Sequence, residues 1–430
     1  MNQLKKYGAI GGAVALVLCW PLAVGHIGQQ VVEDGVEQLN NEGVTAEIVT
    51  YDRGYLSSNV ETRYQVNDPV LKEQLEVDGL PTEIVVQSEI SHGLFSLTAN
   101  SHIQNYPDFP LALKTVTQLN GNTEFELSLD SWSYQGDDAQ KVSMSISPSV
   151  ATGTATVLGQ LTFNSNIPSI QLDFENGEQL TLTDLSANGV GKKEQGFWLG
   201  DQSVTLKNFT ILDEMHTSIF NIDDLGYTFK SSFDSEADRI DTQHIFSMSN
   251  MTYPDGGQLS DLKVDFALTS LDRKSFEGLV DLYQTNPTIA QADITTLAPL
   301  IETLFARGFN VAMNDMHFKV ADDEFKSNWL LKVPEGTENV SRDPSVVMPA
   351  LTGNMNAYMS EGMVNVNPML AQGIDELVVM EMVTQQDAGY QMKADIEGGQ
   401  LVFANGQKIP LVALFLPLLM GQVNGAIIAK

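Results

Sequence analysis

Apolar and polar residues alternate along most of this chain. Phe125, Leu127 and Leu129 are separated by polar residues, and the apolar positions of 142–146 alternate with serines. Alternation with a period of two is typical of a β-strand that buries one face. The same pattern predicts strands in twelve further segments: 60–66, 84–90, 155–163, 170–174, 180–182, 204–206, 227–233, 262–268, 313–320, 327–333, 390–396 and 399–403.

Turn-forming residues separate several of these strands. Residues that tolerate positive φ lie between apolar alternations at four places: Asn120-Gly121, Asn176-Gly177, Asp255-Gly256-Gly257 and Asn405-Gly406. Tight turns of this kind join antiparallel neighbours. The chain is therefore expected to form an extensive antiparallel sheet.

Few segments have the apolar spacing of a helix. That spacing predicts short helices at 275–283, 294–305 and 369–384, and a helix at 31–39 that continues the N-terminal apolar run. The order strand, helix, helix, strand around the first two suggests a repeated unit. The predicted fold class is mainly β (α+β): an N-terminal membrane helix, then an extensive antiparallel, curved or repeated β-sheet with a few short packing helices.

The N-terminal residues predict where the protein resides. Lys5 and Lys6 precede an uncharged apolar run, 8–25, and the first acidic residue is Glu33. At about 1.5 Å of rise per residue this run roughly spans a bilayer core, and the lysines hold the N-terminus in the cytoplasm. We expect a cytoplasmic tip at 1–6, a transmembrane signal-anchor at 7–27, and an extracytoplasmic remainder.

Two alternatives to an uncleaved anchor remain, namely signal-peptide cleavage and lipid attachment. The small residues at 23–25 fit a cleavage site, with Pro21 at the end of the apolar region. Cys19 would allow lipid attachment, although Leu18 stands where a small residue usually precedes a lipidated cysteine. Cys19 is the only cysteine, so the exported part forms no disulfide and must fold on its apolar core.

Charge narrows the choice of partner. The chain has 55 acidic and 23 basic residues and a net charge of −32. Such a surface repels phosphate backbones and anionic head groups, so we expect no nucleic-acid partner and little peripheral binding to anionic lipid.

Motifs for catalysis, metals and cofactors are missing from the sequence. The histidines are isolated, and we find no EF-hand loop, nucleophile elbow or glycine-rich phosphate loop. We therefore expect no cofactor, no metal and no catalytic residue. Acidic pairs are common by chance in so acidic a chain, yet two carboxylates assembled in space could still perform glycoside chemistry.

An apolar, methionine-rich region occupies the last quarter of the chain. Methionine adapts its shape to irregular surfaces, so this region could line a groove for lipid or peptide, or it could fill the core. The segment 409–420 is equally apolar but contains two prolines and is too short to span a membrane. The candidate groove residues are Met355, Met359, Met363, Met380, Met382, Leu414 and Phe415.

Two motifs together carry a resemblance to a known family. The first motif, Tyr51-Asp52-Arg53-Gly54-Tyr55-Leu56-Ser57-Ser58, follows the short anchor. Many strands come next, and the second motif lies at 399–410 (GQLVFANGQKIP). A chain with this order resembles the YdgA family of uncharacterised Gram-negative envelope proteins. The resemblance implies anchoring in the bacterial inner membrane by a single pass, with the bulk of the chain in the periplasm. It also makes a homo-oligomer plausible, and it assigns no reaction.

The first motif also has a physical interpretation. Arg53 lies between Tyr51 and Tyr55, so it could stack on their rings or pair with a carboxylate, while Gly54 allows a tight bend. We expect a structural role at the sheet entrance, with ligand binding by Arg53 as the alternative. Asn405 and Gly406 are expected to form a structural turn.

These observations leave two hypotheses for function. The first is a non-enzymatic, membrane-anchored periplasmic protein that binds lipid or another envelope component through an apolar groove. The second is a periplasmic hydrolase that acts on glycan or peptidoglycan with carboxylates. The expected division is a β-rich region at 28–285 and a C-terminal α+β region at 286–430, continuous with the preceding sheet.

Overall fold

The fold is mainly β, as the sequence predicts. The computed structural model describes residues 43–77, 81–135, 142–194, 197–254, 256–285, 294–366, 368–386 and 388–411, together with residues 29, 33, 36 and 40. The strands described form one antiparallel sheet of 22 members. The chain divides into two compact units, residues 1–175 with 183–190 and residues 176–182 with 191–430.

The first unit is an antiparallel array of short strands. Neighbours follow the chain from β1 to β6, β9 then pairs with β6, and β10 pairs with β9. Strand β8 pairs with the later part of β10, and β7 pairs with β8. The elements are β1 (Val44–Arg53), β2 (Ser57–Val66), α1 (Pro69–Val77), β3 (Glu83–His92), β4 (Ser96–Ile103), β5 (Leu111–Gln118), β6 (Thr123–Leu129), β7 (Trp132–Gln135), β8 (Val142–Ile146), β9 (Ser149–Ala155) and β10 (Gln160–Phe174).

Strand β11 (Gln179–Glu194) contributes residues to both units. The second unit continues with longer strands that pair in chain order from β12 to β18, followed by β20, β21 and β22. Its strands are β12 (Phe197–Leu212), β13 (Ser218–Asp234), β14 (Arg239–Thr252), β15 (Gln258–Asp272), β16 (Phe309–Val320), β17 (Asp323–Val333), β18 (Thr352–Ser360), β19 (Val383–Gln386), β20 (Gly389–Glu397), β21 (Gln400–Phe403) and β22 (Lys408–Pro410).

Short helices connect strands of the second unit. They are α2 (Arg273–Thr285), α3 (Ile294–Arg307), α4 (Val347–Ala350), α5 (Glu361–Asn365) and α6 (Pro368–Val379). Phe276 and Leu279 of α2 and Leu304 of α3 pack on Ile240 and Leu271 of the sheet. Helices α2 and α3 therefore connect the neighbouring strands β15 and β16 and bury apolar surface against the sheet, and the repeated unit stays a prediction.

A buried carboxylate fixes this helical connection. Asp272 precedes α2, and its Oδ1 accepts hydrogen bonds from the Ser275 N–H at 2.9 Å and the Ser275 hydroxyl at 2.6 Å. Arg307, at the end of α3, donates to Asp272 Oδ2 at 2.5 Å. Burial opposes ionisation of Asp272, but the hydrogen bonds from Ser275 and Arg307 outweigh it and lower the pKa of this carboxyl.

Two predictions about elements are wrong in detail, and one helix was missed. The segment 155–163 is not one strand, because the chain turns at 156–159 and Gly159 has φ +78°. Helix α6 ends at Val379 instead of 384, and β19 begins at Val383. Helix α1, at Pro69–Val77, was not predicted, because nine residues give only a short apolar pattern.

The predicted membrane helix at 7–27 and most of the predicted helix at 31–39 lie outside the described residues. Within the part of the chain that the structure describes, no helix is long and apolar enough to cross a membrane. The predicted division at 285/286 falls inside the second unit, between α2 and α3.

Candidate functional site

Four hairpin tips lie at one end of the first unit. They connect β1 to β2, β3 to β4, β5 to β6, and β9 to β10, and the antiparallel pairings place all four at the same end. Since a tip occurs at every second strand, neighbouring tips are about 10 Å apart. We call the residues 54–56, 93–95, 119–122 and 156–159 the tip row.

The first two tips have the same sequence pattern and the same geometry. The Gly54 N–H donates to the Ser57 carbonyl at 2.7 Å, and the Gly93 N–H donates to the Ser96 carbonyl at 2.9 Å. A Cβ atom on either glycine would lie within 2.8 Å of that carbonyl oxygen. Only glycine fits this close approach, which explains the recurrence of Gly-apolar-apolar-Ser.

The other two tips are also alike. Gly121 and Gly159 both have positive φ, +83° and +78°. Their N–H groups donate to the Gln118 carbonyl at 2.8 Å and to the Thr156 carbonyl at 2.9 Å. These turns place Leu119 in one tip, and Val157 and Leu158 in the other, at the outermost positions.

The tip row exposes large apolar side chains. The exposed fraction of these side chains ranges from 42% for Tyr55 to 81% for Leu158. Large apolar groups that remain exposed and adjacent usually mark an interaction surface. The seven side chains are Tyr55, Leu56, Leu94, Phe95, Leu119, Val157 and Leu158.

The tip row is also uncharged. None of its residues is Asp, Glu, Lys or Arg, although charged residues make up 18% of the chain. The opposite end of the same strands is different: α1 and its flanking residues include Asp68, Lys72, Glu73 and Glu76. The tip row is therefore an uncharged apolar surface at one end of the strands, on a protein whose net charge is −32.

Buried polar groups hold the first two tips together. Ser58 Oγ lies 2.9 Å from His92 Nε2, and both side chains are buried. His92 Nδ1 lies 3.3 Å from the Tyr55 carbonyl oxygen, and the His92 N–H donates to the Leu56 carbonyl at 2.8 Å. Because a carbonyl only accepts, the Nδ1 contact is a donation from the ring, and in the tautomer with this proton on Nδ1 the Nε2 atom accepts from the Ser58 hydroxyl.

The residues of the Tyr51–Ser58 motif fall beside this contact. Arg53 is the last residue of β1 and pairs across the hairpin with Ser58, and Gly54 and Tyr55 belong to the first tip. Burial of the Tyr51 ring raises the pKa of its phenol, against the opposing effects of the Ser58 hydroxyl and the Arg53 charge. The motif thus shapes and supports the first tip.

Asn405 and Gly406 form the turn between β21 and β22. Gly406 has φ +83°, and Asn405 Oδ1 accepts from the Gln407 N–H at 2.9 Å. Asn405 Nδ2 donates to the carbonyl oxygens of Met380 at 2.8 Å and Glu381 at 3.2 Å. This turn is therefore attached to the chain that follows α6.

The methionines proposed to line a groove differ in burial. Met382 is buried in a core cluster with Ile396, Leu401 and Phe403, and Met355 packs against that cluster. Met359 and Met363 are half-buried, whereas Met380 is exposed. Leu414 and Phe415 lie outside the described residues. Core packing accounts for Met355 and Met382, and the groove itself stays a prediction.

Sequence reasoning missed most of the tip row. It singled out Gly54 and Tyr55, but not Gly93-Leu94-Phe95-Ser96, which repeats Gly54-Tyr55-Leu56-Ser57. That recurrence was the available signal. The alignment of four tips at one end depends on strand pairing, which a single sequence does not reveal. Among the described residues, no group of three or more His, Cys, Asp or Glu could hold a metal ion.

Comparison with known proteins gives a family without a function. The family described as "Bacterial protein of unknown function (DUF945)" matches residues 4–412. No curated protein and no solved structure matches the chain. Because the match covers nearly the whole sequence, this chain belongs to that bacterial family of unknown function.

Proposed function

We propose that this is a non-enzymatic, membrane-anchored envelope protein that contacts a lipid surface through the tip row. The observation that carries the proposal is the set of seven exposed apolar side chains on four aligned, uncharged hairpin tips. A lipid surface accepts such residues without requiring a complementary shape or charge.

The apolar area is sufficient for a membrane contact. Transfer of each partly exposed side chain from water is worth on the order of 1 kcal/mol, so the seven supply several kcal/mol before ordering costs. Tyr55 contributes a ring with a polar end, which suits the membrane–water interface. Because the tips are uncharged, this contact needs no anionic head group, which agrees with a chain that repels anionic surfaces.

The anchor and the location belong to the same proposal. Residues 7–27 anchor the chain, and the resemblance to the YdgA proteins supports an inner-membrane, periplasmic location. Strand β1 starts at Val44 and reaches the first tip at Arg53, about 30 Å further on. The first tip therefore lies at the C-terminal end of β1, and the tip row could meet the bilayer that holds the anchor or an opposite one.

Photo-crosslinking in bacterial cells tests this proposal. A benzophenone amino acid replaces Phe95 in the full chain, and the matched control places it at Tyr283, an exposed aromatic residue of the second unit. We expect the Phe95 position to give a lipid adduct, detected by mass spectrometry, and the Tyr283 position to give none.

Protein adducts would contradict the proposal. A crosslinked dimer would assign the tip row to a second copy of the chain, and a heavier product with another protein would assign it to a protein partner. The alternative function, a periplasmic hydrolase, stays a prediction.

A further inference from the structure

A cleft with polar and apolar lining residues lies within the second unit. Its volume is about 670 Å³, and residues of β12 to β17 line it. Volumes of about 300–1,000 Å³ are typical of sites for small ligands. Leu268 packs into the core beneath α2 and α3, so its neighbour Ala267, which lines the cleft, faces the other side of the sheet.

Small apolar residues form the floor of the cleft. Ala267 and Ala312 are direct cross-strand partners, and both are buried. Leu330 pairs with Ala312 on the next strand and continues this floor. These three side chains form a short apolar strip among polar lining residues.

Two amide groups are fixed beside the floor. Gln243 Nε2 donates to Asp265 Oδ1 at 2.8 Å, and Asn314 Nδ2 donates to the same oxygen at 3.0 Å. Each amide therefore donates through its nitrogen to Asp265, and its oxygen is not used in that contact. The amide oxygens then remain as oriented acceptors for a ligand.

The charges of the cleft balance. Lys230 and Lys332 contribute two positive charges, and Asp201 and Asp241 contribute two negative charges. Neither lysine forms an ion pair with a residue in the described part of the chain, so both ammonium groups can donate to a ligand. A neutral lining on a protein of net charge −32 does not select a strongly charged ligand.

We propose that this cleft binds a neutral oligosaccharide. Sugar hydroxyl groups both donate and accept, so they match the amide and carboxylate acceptors and the lysine donors of the lining. The apolar C–H face of a sugar ring fits the alanine floor. The proposal adds a ligand site to the second unit and is independent of lipid contact by the first.

Binding measurements on the full chain in lipid nanodiscs test the proposal. The probes are linear hexasaccharides of glucose and of N-acetylglucosamine, titrated by isothermal calorimetry. We expect one of them to bind with a Kd below about 1 mM. The Ala312→Leu variant fills the floor and should weaken binding at least tenfold, whereas Ala237→Leu, on an exposed turn outside the cleft, should leave it unchanged.

A second variant keeps the test decisive if Ala312→Leu does not fold. Lys332 is exposed, so Lys332→Gln preserves the fold and should weaken binding several-fold by removing a charged donor. The proposal is overturned if neither sugar binds at about 10 mM, or if binding is the same in the folded cleft variants and the wild type. Neither result bears on the crosslinks formed at Phe95.

Discussion

Ser58 and His92 form a buried hydrogen bond, 2.9 Å long, between β2 and β3. His92 is also the residue whose N–H and ring contact the first tip, at Leu56 and Tyr55. The bond therefore joins two hairpins whose apolar ends project side by side. A buried polar pair at this point fixes the relative position of the two tips, which an apolar contact would leave less defined.

Ser58→Ala should destabilise the protein by about 1–3 kcal/mol, because it leaves His92 Nε2 buried without its donor. Ser57→Ala is the matched control, since Ser57 is exposed and should change the free energy of unfolding little. Urea unfolding followed by circular dichroism measures both. Equal stability of the two variants would show that the buried bond contributes nothing.

Two glycine substitutions should have opposite effects. Gly54→Ala places a Cβ 2.8 Å from the Ser57 carbonyl oxygen, so the first tip must shift at a cost of about 1–3 kcal/mol. Gly373→Ala lies inside α6 with no atom within 4 Å of the new Cβ, and should stabilise the protein by about 0.5–1 kcal/mol. Thermal unfolding compares them, and a destabilised Gly373→Ala would contradict the helix assignment.

The carboxyl of Asp272 should make stability depend on acid pH. Its pKa is lower in the folded state, so its contribution is complete above the unfolded value of about 3.9 and is lost as the pH falls through the folded value. Asp272→Asn should therefore cost about 2 kcal/mol at neutral pH and progressively less below about pH 4.

Glu335→Gln is the control for this pH dependence. Glu335 pairs with Arg239 at 3.4 Å, but its side chain is 82% exposed, so its loss should have little effect at any pH. Urea unfolding at several pH values gives the comparison. A cost of Asp272→Asn that stayed constant down to pH 2 would contradict the lowered pKa.

The two methionines near the end of α6 should respond differently to truncation. Met382→Ala removes a buried side chain from the core cluster and should cost about 2–5 kcal/mol. Met380→Ala removes an exposed one and should change stability by less than about 0.5 kcal/mol. Denaturant unfolding of both variants decides between core packing and a groove. Similar small effects would favour the groove.

The sequence alone was enough to predict the kind of fold. Alternation at Phe125, Leu127 and Leu129 identified β6, and Gly121 and Gly406 have the positive φ expected of their turns. The predicted strand boundaries were wrong where the apolar alternation continued through a turn, as at 155–163. The tip row was harder to predict, because Tyr55 and Leu158 are distant in sequence. Only the pairing of eight strands places them at the same end of the sheet. The lining of the cleft likewise comes from six strands, and no local motif marks it.

Depth-dependent quenching tests the central claim most directly. In a Cys19→Ser background, a polarity-sensitive fluorophore is attached to the full chain at Phe95→Cys, or at Val366→Cys, an exposed control in the second unit. The chain is reconstituted in lipid vesicles. The nitroxide-labelled lipid is placed either in the bilayer that holds the chain or in separate acceptor vesicles added afterwards. We predict a blue shift and quenching for the Phe95 position in one of these arrangements, unchanged at about 1 M salt because the tips are uncharged. An emission spectrum typical of water at Phe95 in both arrangements, equal to that at Val366, would contradict lipid contact by the tip row.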